Sequence, residues 1–194
     1  ARLLNAYGPT EATITALVHD VAPDDRFGQV PIGRPLAGTR IYILDRHGNP
    51  VPDGVVGELH IGGARLAIGY HGRDDLTRER FVLRTIDPGE LPVRLYRTGD
   101  LAAFLPNSGG TVAFHGRIDD QVKIRGFRVE PGEVEAALAA EGLGEVAVLA
   151  EADGEGRAFL VAFVAMPEAG FDAAALRDRL SARLPLHMLP SAIH

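Results

Sequence analysis

Asn5 to Thr13 reads NAYGPTEAT, a Gly-Pro turn with a hydroxyl and a carboxylate directly behind it. Those residue types suit a loop that faces a phosphate. Gly8 permits close backbone approach, Thr10 supplies a hydroxyl, Glu11 is a hard oxygen ligand of the kind Mg2+ takes, and Tyr7 presents a flat face to a base. On residue types alone, the same letters read more readily as a Thr-capped helix start, TEATITALV. Further along, YRTGDLAAF (Tyr96 to Phe104) is expected to end a strand in a Thr-Gly-Asp corner with an acidic tip. A carboxylate at Asp100 can accept two hydrogen bonds from a ribose diol, although Thr-Gly-Asp by itself is a common turn.

A third stretch, GRIDDQVKIRGFRVEPGEVE, runs from Gly116 to Glu135. Gln121, Lys123, Arg125 and Phe127 alternate with Val122, Ile124 and Val129, which predicts two short strands joined at Arg125-Gly126. Pro131 then suits the first position of a helix, Val134, Ala137 and Leu138 follow at helical spacing, and Glu130, Glu133 and Glu135 lie where the helix N-terminus favours negative charge. By pattern this is a solvated, charged hairpin leading into an amphipathic helix.

Around these stretches the pattern from Val30 to Gly62 predicts strands and turns, with Ile41 and Ile43 on one face of GTRIYILD, a turn at His47-Gly48-Asn49-Pro50, and GELHIGG returning as a second strand. DDLTRERF, Asp74 to Phe81, reads as a short helix. Beyond the hairpin the pattern predicts a helix from Pro131 to Glu141, strands over Glu145–Leu149 and Ala158–Ala165, and a helix from Ala173 to Leu184. Asp172 is the N-cap of that last helix, Leu176, Leu180 and Leu184 are its core face, and Pro185 ends it. DGEGR, Asp153 to Arg157, is a hairpin turn.

Composition narrows the partners. The 194 residues carry a net charge of -6 with few aromatics, which argues against a nucleic-acid surface. No apolar run of about eighteen residues exists to span a membrane, and the N-terminus lacks the basic and apolar regions of a secretory signal; a cytoplasmic protein is expected. Without cysteine there is no disulfide scaffold and no thiolate of its own, so any thioester chemistry must use a partner's thiol. No GxGxxG or GxxxxGK[ST] spacing occurs, which disfavours a dinucleotide fold or a P-loop.

The literal strings add more. GRIDDQVKIRGFRVEPGEVE resembles the hinge motif of the adenylate-forming, AMP-binding enzymes, and specifically of the amino-acid adenylation domains of nonribosomal peptide synthetases. NAYGPTE, VPIGRPLAGTRIYILD, GELHIGG, YRTGD and the closing LPLHMLPSAIH resemble further motifs of that family, in the family's order. The resemblance implies an α/β (α+β) adenylate-forming enzyme fold, truncated. It would comprise the β-rich, distorted-barrel part of a large N-terminal domain over 1–117 and a small mobile α/β C-terminal domain over 118–194, without the latter's final lysine-bearing loop.

It further implies that Asn5 and Tyr7 contact adenine, that Gly8 lines the same loop, that Thr10 meets phosphate, and that Glu11 binds magnesium. Asp100 would take the ribose hydroxyls, with Arg117 and Phe114 beside the nucleotide. Ala6, Ile14 and Thr15 would belong to the substrate side-chain pocket, and being small and mostly apolar they imply an uncharged side chain. Asp119 would be the hinge, Gly126 would sit in the loop serving the thiolation half-reaction, and Lys123, the only lysine, is a catalytic candidate alongside Thr10 and Glu11.

The implied reaction joins an amino-acid carboxylate to ATP as aminoacyl-AMP and passes the acyl group to the phosphopantetheine thiol of a peptidyl carrier protein. A neighbouring condensation domain and a secondary-metabolite or antibiotic peptide product are also implied. This stretch alone is expected to be inactive. The alternatives are an acyl- or aryl-CoA ligase of the same superfamily and a non-catalytic nucleotide-binding or docking module. Arg65 and Ile68 depart from the family, which has glycine and arginine there, and His187 stands where tyrosine is usual.

Overall fold

A computed structural model describes residues 1–23, 25, 30–119, 121–165 and 172–194. The chain divides into two compact units, Ala1–Asp119 and Asp120–His194.

The first unit is almost entirely sheet. Strands β1 (Leu4–Tyr7), β2 (Leu17–Asp20) and β3 (Arg34–Pro35) form a three-stranded sheet in that order. A five-stranded antiparallel sheet contains β4 (Thr39–Leu44), β5 (Gly57–Gly63), β6 (Phe81–Arg84), β7 (Val93–Phe104) and β8 (Val112–Arg117), ordered β4-β5-β7-β6 with β8 also on β7. Helix α1 (Asp74–Arg80) leads straight into β6. Leu17, Ile32, Ile43, Leu59, Ile61, Ala102 and Val112 form the core beneath these sheets. Each large aliphatic side chain so buried contributes about 1.5–3 kcal/mol.

Two expectations fail here. TEATITALV is not a helix. Thr10–Ala12 makes a single 3-10 turn, Thr13 and Ile14 take left-handed backbone (φ 61° and 66°), and the chain then enters β2. The β-branched run Thr13-Ile14-Thr15 is poorly suited to helix, and Leu17 and Val18 gain more by pairing with β1 and β3.

Nor does Thr-Gly-Asp end a strand. It bends a 12-residue strand in its middle. Before the bend β7 pairs with β6, at Phe81↔Tyr96 and Val82↔Leu95; after it β7 pairs with β8, at Asp100↔Arg117 and Ala102↔Phe114, while β5 runs beside both halves. Register shifts mark the irregularity on both sides, and Gly99 supplies the positive φ of 73° that it needs.

The second unit opens with the predicted hairpin, β9 (Val122–Ile124) and β10 (Phe127–Val129). Its two-residue loop has φ 52° at Arg125 and 85° at Gly126, the signature of a type I′ turn. Helix α2 (Pro131–Ala139) has Pro131 at its first turn and buries Val134, Ala137 and Leu138. Strands β11 (Val146–Ala152) and β12 (Ala158–Val164) pair antiparallel across the Asp153–Arg157 turn. Helix α3 (Ala173–Ser181) is capped by the Asp172 side chain, which accepts from the N–H groups of Ala174 and Ala175. It ends three residues short of Leu184, which still packs into the core with Leu176 and Leu180. A short strand unforeseen in the sequence, β13 (Ala192–Ile193), adds to β12 in parallel. Among the described residues no helix is long and apolar enough to cross a membrane.

Candidate functional site

Three segments distant in sequence converge on Asp100. Tyr7 closes β1, Asp100 follows the bend in β7, and Arg117 ends β8 directly opposite Asp100. The Asp100 residue is only 7% exposed. Its Oδ2 accepts from the Tyr7 hydroxyl, and its Oδ1 accepts from Arg117 Nη1 at 2.5 Å. The rest of the Arg117 fork is also engaged. Nε donates to Asp119 Oδ1 at 2.6 Å, while Nη2 donates to Asp119 Oδ2 at 2.8 Å and to the Thr98 carbonyl at 3.2 Å. A guanidinium gripped in this bidentate way fixes the direction of both carboxylates.

The bend itself is tied down by Thr98, whose hydroxyl donates to the Leu59 carbonyl at 2.7 Å and accepts from the Asp100 N–H at 3.0 Å. A side chain at Gly99 would force the Arg117 and Asp119 side chains to shift. A Cβ there would lie 2.8 Å from Arg117 Nη2 and 2.9 Å from Asp119 Oδ2.

Burial, and then the Asp100 charge, push the Tyr7 phenol far above its ordinary pKa, so it remains a donor. Burial opposes the charge on Arg117, but the Asp119 and Asp100 carboxylates outweigh it and hold its pKa above the usual value.

Glu11 forms a second buried point. It sits in the Thr10–Ala12 turn at 9% exposure, and its Oε1 accepts from the Tyr70 hydroxyl at 2.6 Å. Its backbone carbonyl accepts from Ala67 at 2.8 Å. Burial and this hydrogen bond raise the Tyr70 pKa well beyond that of an ordinary phenol.

Beyond Glu11 the chain is strained. Left-handed backbone at two consecutive β-branched residues costs about 1–3 kcal/mol apiece and is a mark of functional loops. Hydrogen bonds hold it in place: Thr15 N–H to the Thr13 carbonyl at 2.7 Å, Ala16 N–H to the Tyr7 carbonyl at 2.8 Å, and Thr13 Oγ1 to the Arg65 carbonyl at 2.7 Å. Gly8 accommodates the turn from beneath, since a Cβ would come within 2.6 Å of Ala16 N and of the Ile14 carbonyl oxygen.

The remaining candidates are distributed as follows. Ala6 and Thr10 are exposed, Ile14 is 75% exposed, and Thr15 is half-buried. Asn5 donates to the Pro31 carbonyl at 2.7 Å. Phe114, half-buried, packs against the core of the first unit. In the second unit Lys123 is exposed on β9 opposite Arg128, and Gly126 lies at the hairpin tip. Tyr70, Thr98 and Arg94 were not anticipated as contributors. Tyr70 meets Glu11 59 positions away, and Arg94 meets Ala67 and Ile68 27 and 26 positions away, so no local pattern flags them; Thr98 lies in the Thr-Gly-Asp corner, but its bond to the Leu59 carbonyl 39 positions away has no sign in the sequence.

The model of the AMP-binding enzyme family matches residues 1–71. Malpibaldin synthetase of Mortierella alpina is 48% identical over 98% of this chain, which spans 3% of that protein. Two solved structures align over nearly all of it. PA1221, described as a nonribosomal peptide synthetase protein containing adenylation and PCP domains, is 33% identical with a TM-score of 0.81 over 99% of this chain and 37% of its own. The Vibrio cholerae adenylation domain AlmE, solved with glycyl-adenosine-5'-phosphate, is 27% identical with a TM-score of 0.87 over 100% of this chain and 36% of its own. Motifs, sheet architecture and these likenesses agree: the chain belongs to the AMP-binding enzymes, as a stretch of the adenylation-domain kind found in nonribosomal peptide synthetases.

Proposed function

We propose that this chain forms part of the site at which an amino acid is activated with ATP as aminoacyl-AMP and then transferred to the phosphopantetheine thiol of a peptidyl carrier protein. The observation that carries the reading is the convergence of Tyr7, Asp100 and Arg117, three motif residues brought onto one buried carboxylate. On this reading Asp100 receives the ribose hydroxyls, with Arg117 and Phe114 beside the nucleotide. Asn5, Tyr7 and Gly8 line the adenine side, and Thr10 meets the phosphates. Ala6, Ile14 and Thr15 border the substrate side chain, their small and mostly apolar character favouring an uncharged amino acid.

Glu11 is the proposed Mg2+ ligand. Among the described residues no group of three or more His, Cys, Asp or Glu could cage an ion. A single hard carboxylate fits nonetheless, because Mg2+ takes one or two carboxylates and completes its shell with substrate phosphates and water. When bound, it offsets phosphate charge as pyrophosphate leaves.

Thioester formation needs the leaving-group side of the site cleared for a thiol. We assign Asp119 the hinge role, and Gly126 and Lys123 to the hairpin that serves this second half-reaction. A neighbouring condensation domain completes the proposed assembly. Because the chain spans 36–37% of the two solved relatives, we also propose that these 194 residues alone do not catalyse exchange.

Amino-acid-dependent ATP–pyrophosphate exchange by the full-length protein tests the reading across a panel of side chains. Exchange with one or a few amino acids, lost on Asp100→Ala, is expected. A folded full-length protein without exchange for any amino acid would overturn it.

A further inference from the structure

Glu11 does not hold its direction unaided. The partner of its Oε1, the Tyr70 hydroxyl, belongs to a side chain that is itself fixed from several sides. The Tyr70 N–H donates to Thr77 Oγ1 at 2.9 Å, and that hydroxyl donates onward to the Arg73 carbonyl at 2.8 Å, at the start of α1. The Tyr70 ring meets Phe81 edge-on, with centroids 5.8 Å apart. Phe81 lies in turn under the Arg94 guanidinium at 4.3 Å. The same arginine donates to the carbonyls of Ala67 and Ile68 at 2.8 and 2.6 Å, pinning the loop that brings Tyr70 to Glu11. Gly69 packs so tightly on Thr77 that a Cβ would fall 2.6 Å from its Cγ2.

A carboxylate in a single 3-10 turn has a floppy final torsion; a hydrogen bond from a half-buried donor held on several sides removes that freedom before any ligand arrives. We propose that Tyr70 is a positioning residue for Glu11, its hydroxyl fixing the carboxylate so that it meets a divalent cation carried in with a nucleoside triphosphate. The inference rests on the reading of Glu11 as the magnesium ligand. Partners that orient a metal ligand in this way are worth roughly 10–100-fold in metal affinity.

The test uses the full-length protein and Tyr70→Phe, which keeps the ring against Phe81 and removes only the hydroxyl. Electron paramagnetic resonance titration of Mn2+ into the complex with a non-hydrolysable ATP analogue reads binding directly. The Mn2+ dissociation constant should rise about 10-fold. Half-saturating Mg2+ in pyrophosphate exchange should rise in step, with the amino-acid KM unchanged. Glu11→Gln is measured alongside. If Glu11→Gln weakens Mn2+ and Tyr70→Phe does not, the positioning role is overturned and Glu11 keeps its assignment. If neither moves Mn2+, Glu11 is no ligand and the inference falls with it. Should Tyr70→Phe fail to fold, 3-fluorotyrosine at position 70 preserves the hydroxyl. Its 19F resonance should shift when Mg2+ is added to the nucleotide complex, and an unmoved resonance overturns the proposal.

Discussion

Tyr7 and Asp100 stand 93 positions apart and share a hydrogen bond, the phenol donating to carboxylate oxygen Oδ2. That bond closes β1 of the small sheet onto β7 of the large one. Tyr7→Phe deletes one donor to a buried carboxylate while leaving the ring. Hydrogen bonds to charged groups contribute about 1.5–3 kcal/mol, so the urea midpoint should fall by a corresponding amount. Tyr7→Phe combined with Asp100→Asn should cost less than the sum of the single changes. Additive losses would show that the two side chains do not support one another.

Glycines at positive φ are not equivalent here. At Gly99, with φ 73°, an added Cβ meets the Arg117 and Asp119 side chains within 3 Å, whereas at Gly126, with φ 85°, nothing lies within 4 Å. Gly126→Ala should therefore cost only the backbone penalty of about 1–2 kcal/mol, and Gly99→Ala distinctly more. Beside Gly126, Arg125 occupies the first position of a turn that favours Asn. Arg125→Asn should raise the melting temperature of the second unit slightly. Thermal melts of the three variants check the order.

His60 is 4% exposed in β5, and burial lowers its pKa, against partial opposition from its hydrogen bond to the Glu58 carbonyl and from the Glu58 charge. The folded protein thus resists a proton that the unfolded chain accepts near pH 6.5. The unfolded state binds more protons below that value, so stability must fall as pH drops through it, by at most about 1.4 kcal/mol per pH unit from this group. Urea titrations between pH 7.5 and about pH 5 should show the slope. His60→Gln should flatten it, and an unchanged slope would assign the acid sensitivity elsewhere.

Asp119 both grips Arg117 and is the last residue of the first unit. Asp119→Ala removes the grip alone; Asp119→Pro also locks φ and deletes an N–H. In the full-length protein, the proline should slow thioester formation well beyond its effect on pyrophosphate exchange, and the alanine should affect the two about equally. Equal loss of both half-reactions in the proline variant would rule out a hinge at this position.

The sequence was most legible where local pattern and local structure coincide. Val122 to Val129 alternates around a two-residue turn, and Leu176 and Leu180 repeat every helical turn; both settle the element without outside help. It misled where the decision is made by distant partners. Thr10 resembles a helix cap, yet Leu17 and Val18 are claimed by neighbouring strands. Thr98-Gly99-Asp100 has the letters of a turn, and only the positions of β6 and β8 make it a bend within one strand. The strand at Ala192–Ile193 is too short to carry a period of its own. Among site residues, Glu11 could be named from its motif, whereas Tyr70, 59 positions later, gives no sign of its partner until the chain is folded.

The bend in β7 has a mechanical consequence. A strand that exchanges β6 for β8 halfway along, with β5 beside it throughout, carries load continuously across the large sheet. There is no seam between the β6 side and the β8 side along which the sheet could slide without tearing the β7 backbone ladder. Asp100 sits just past that splice and Arg117 is bonded across it, so the carboxylate on which the site converges is tied to both halves of the strand.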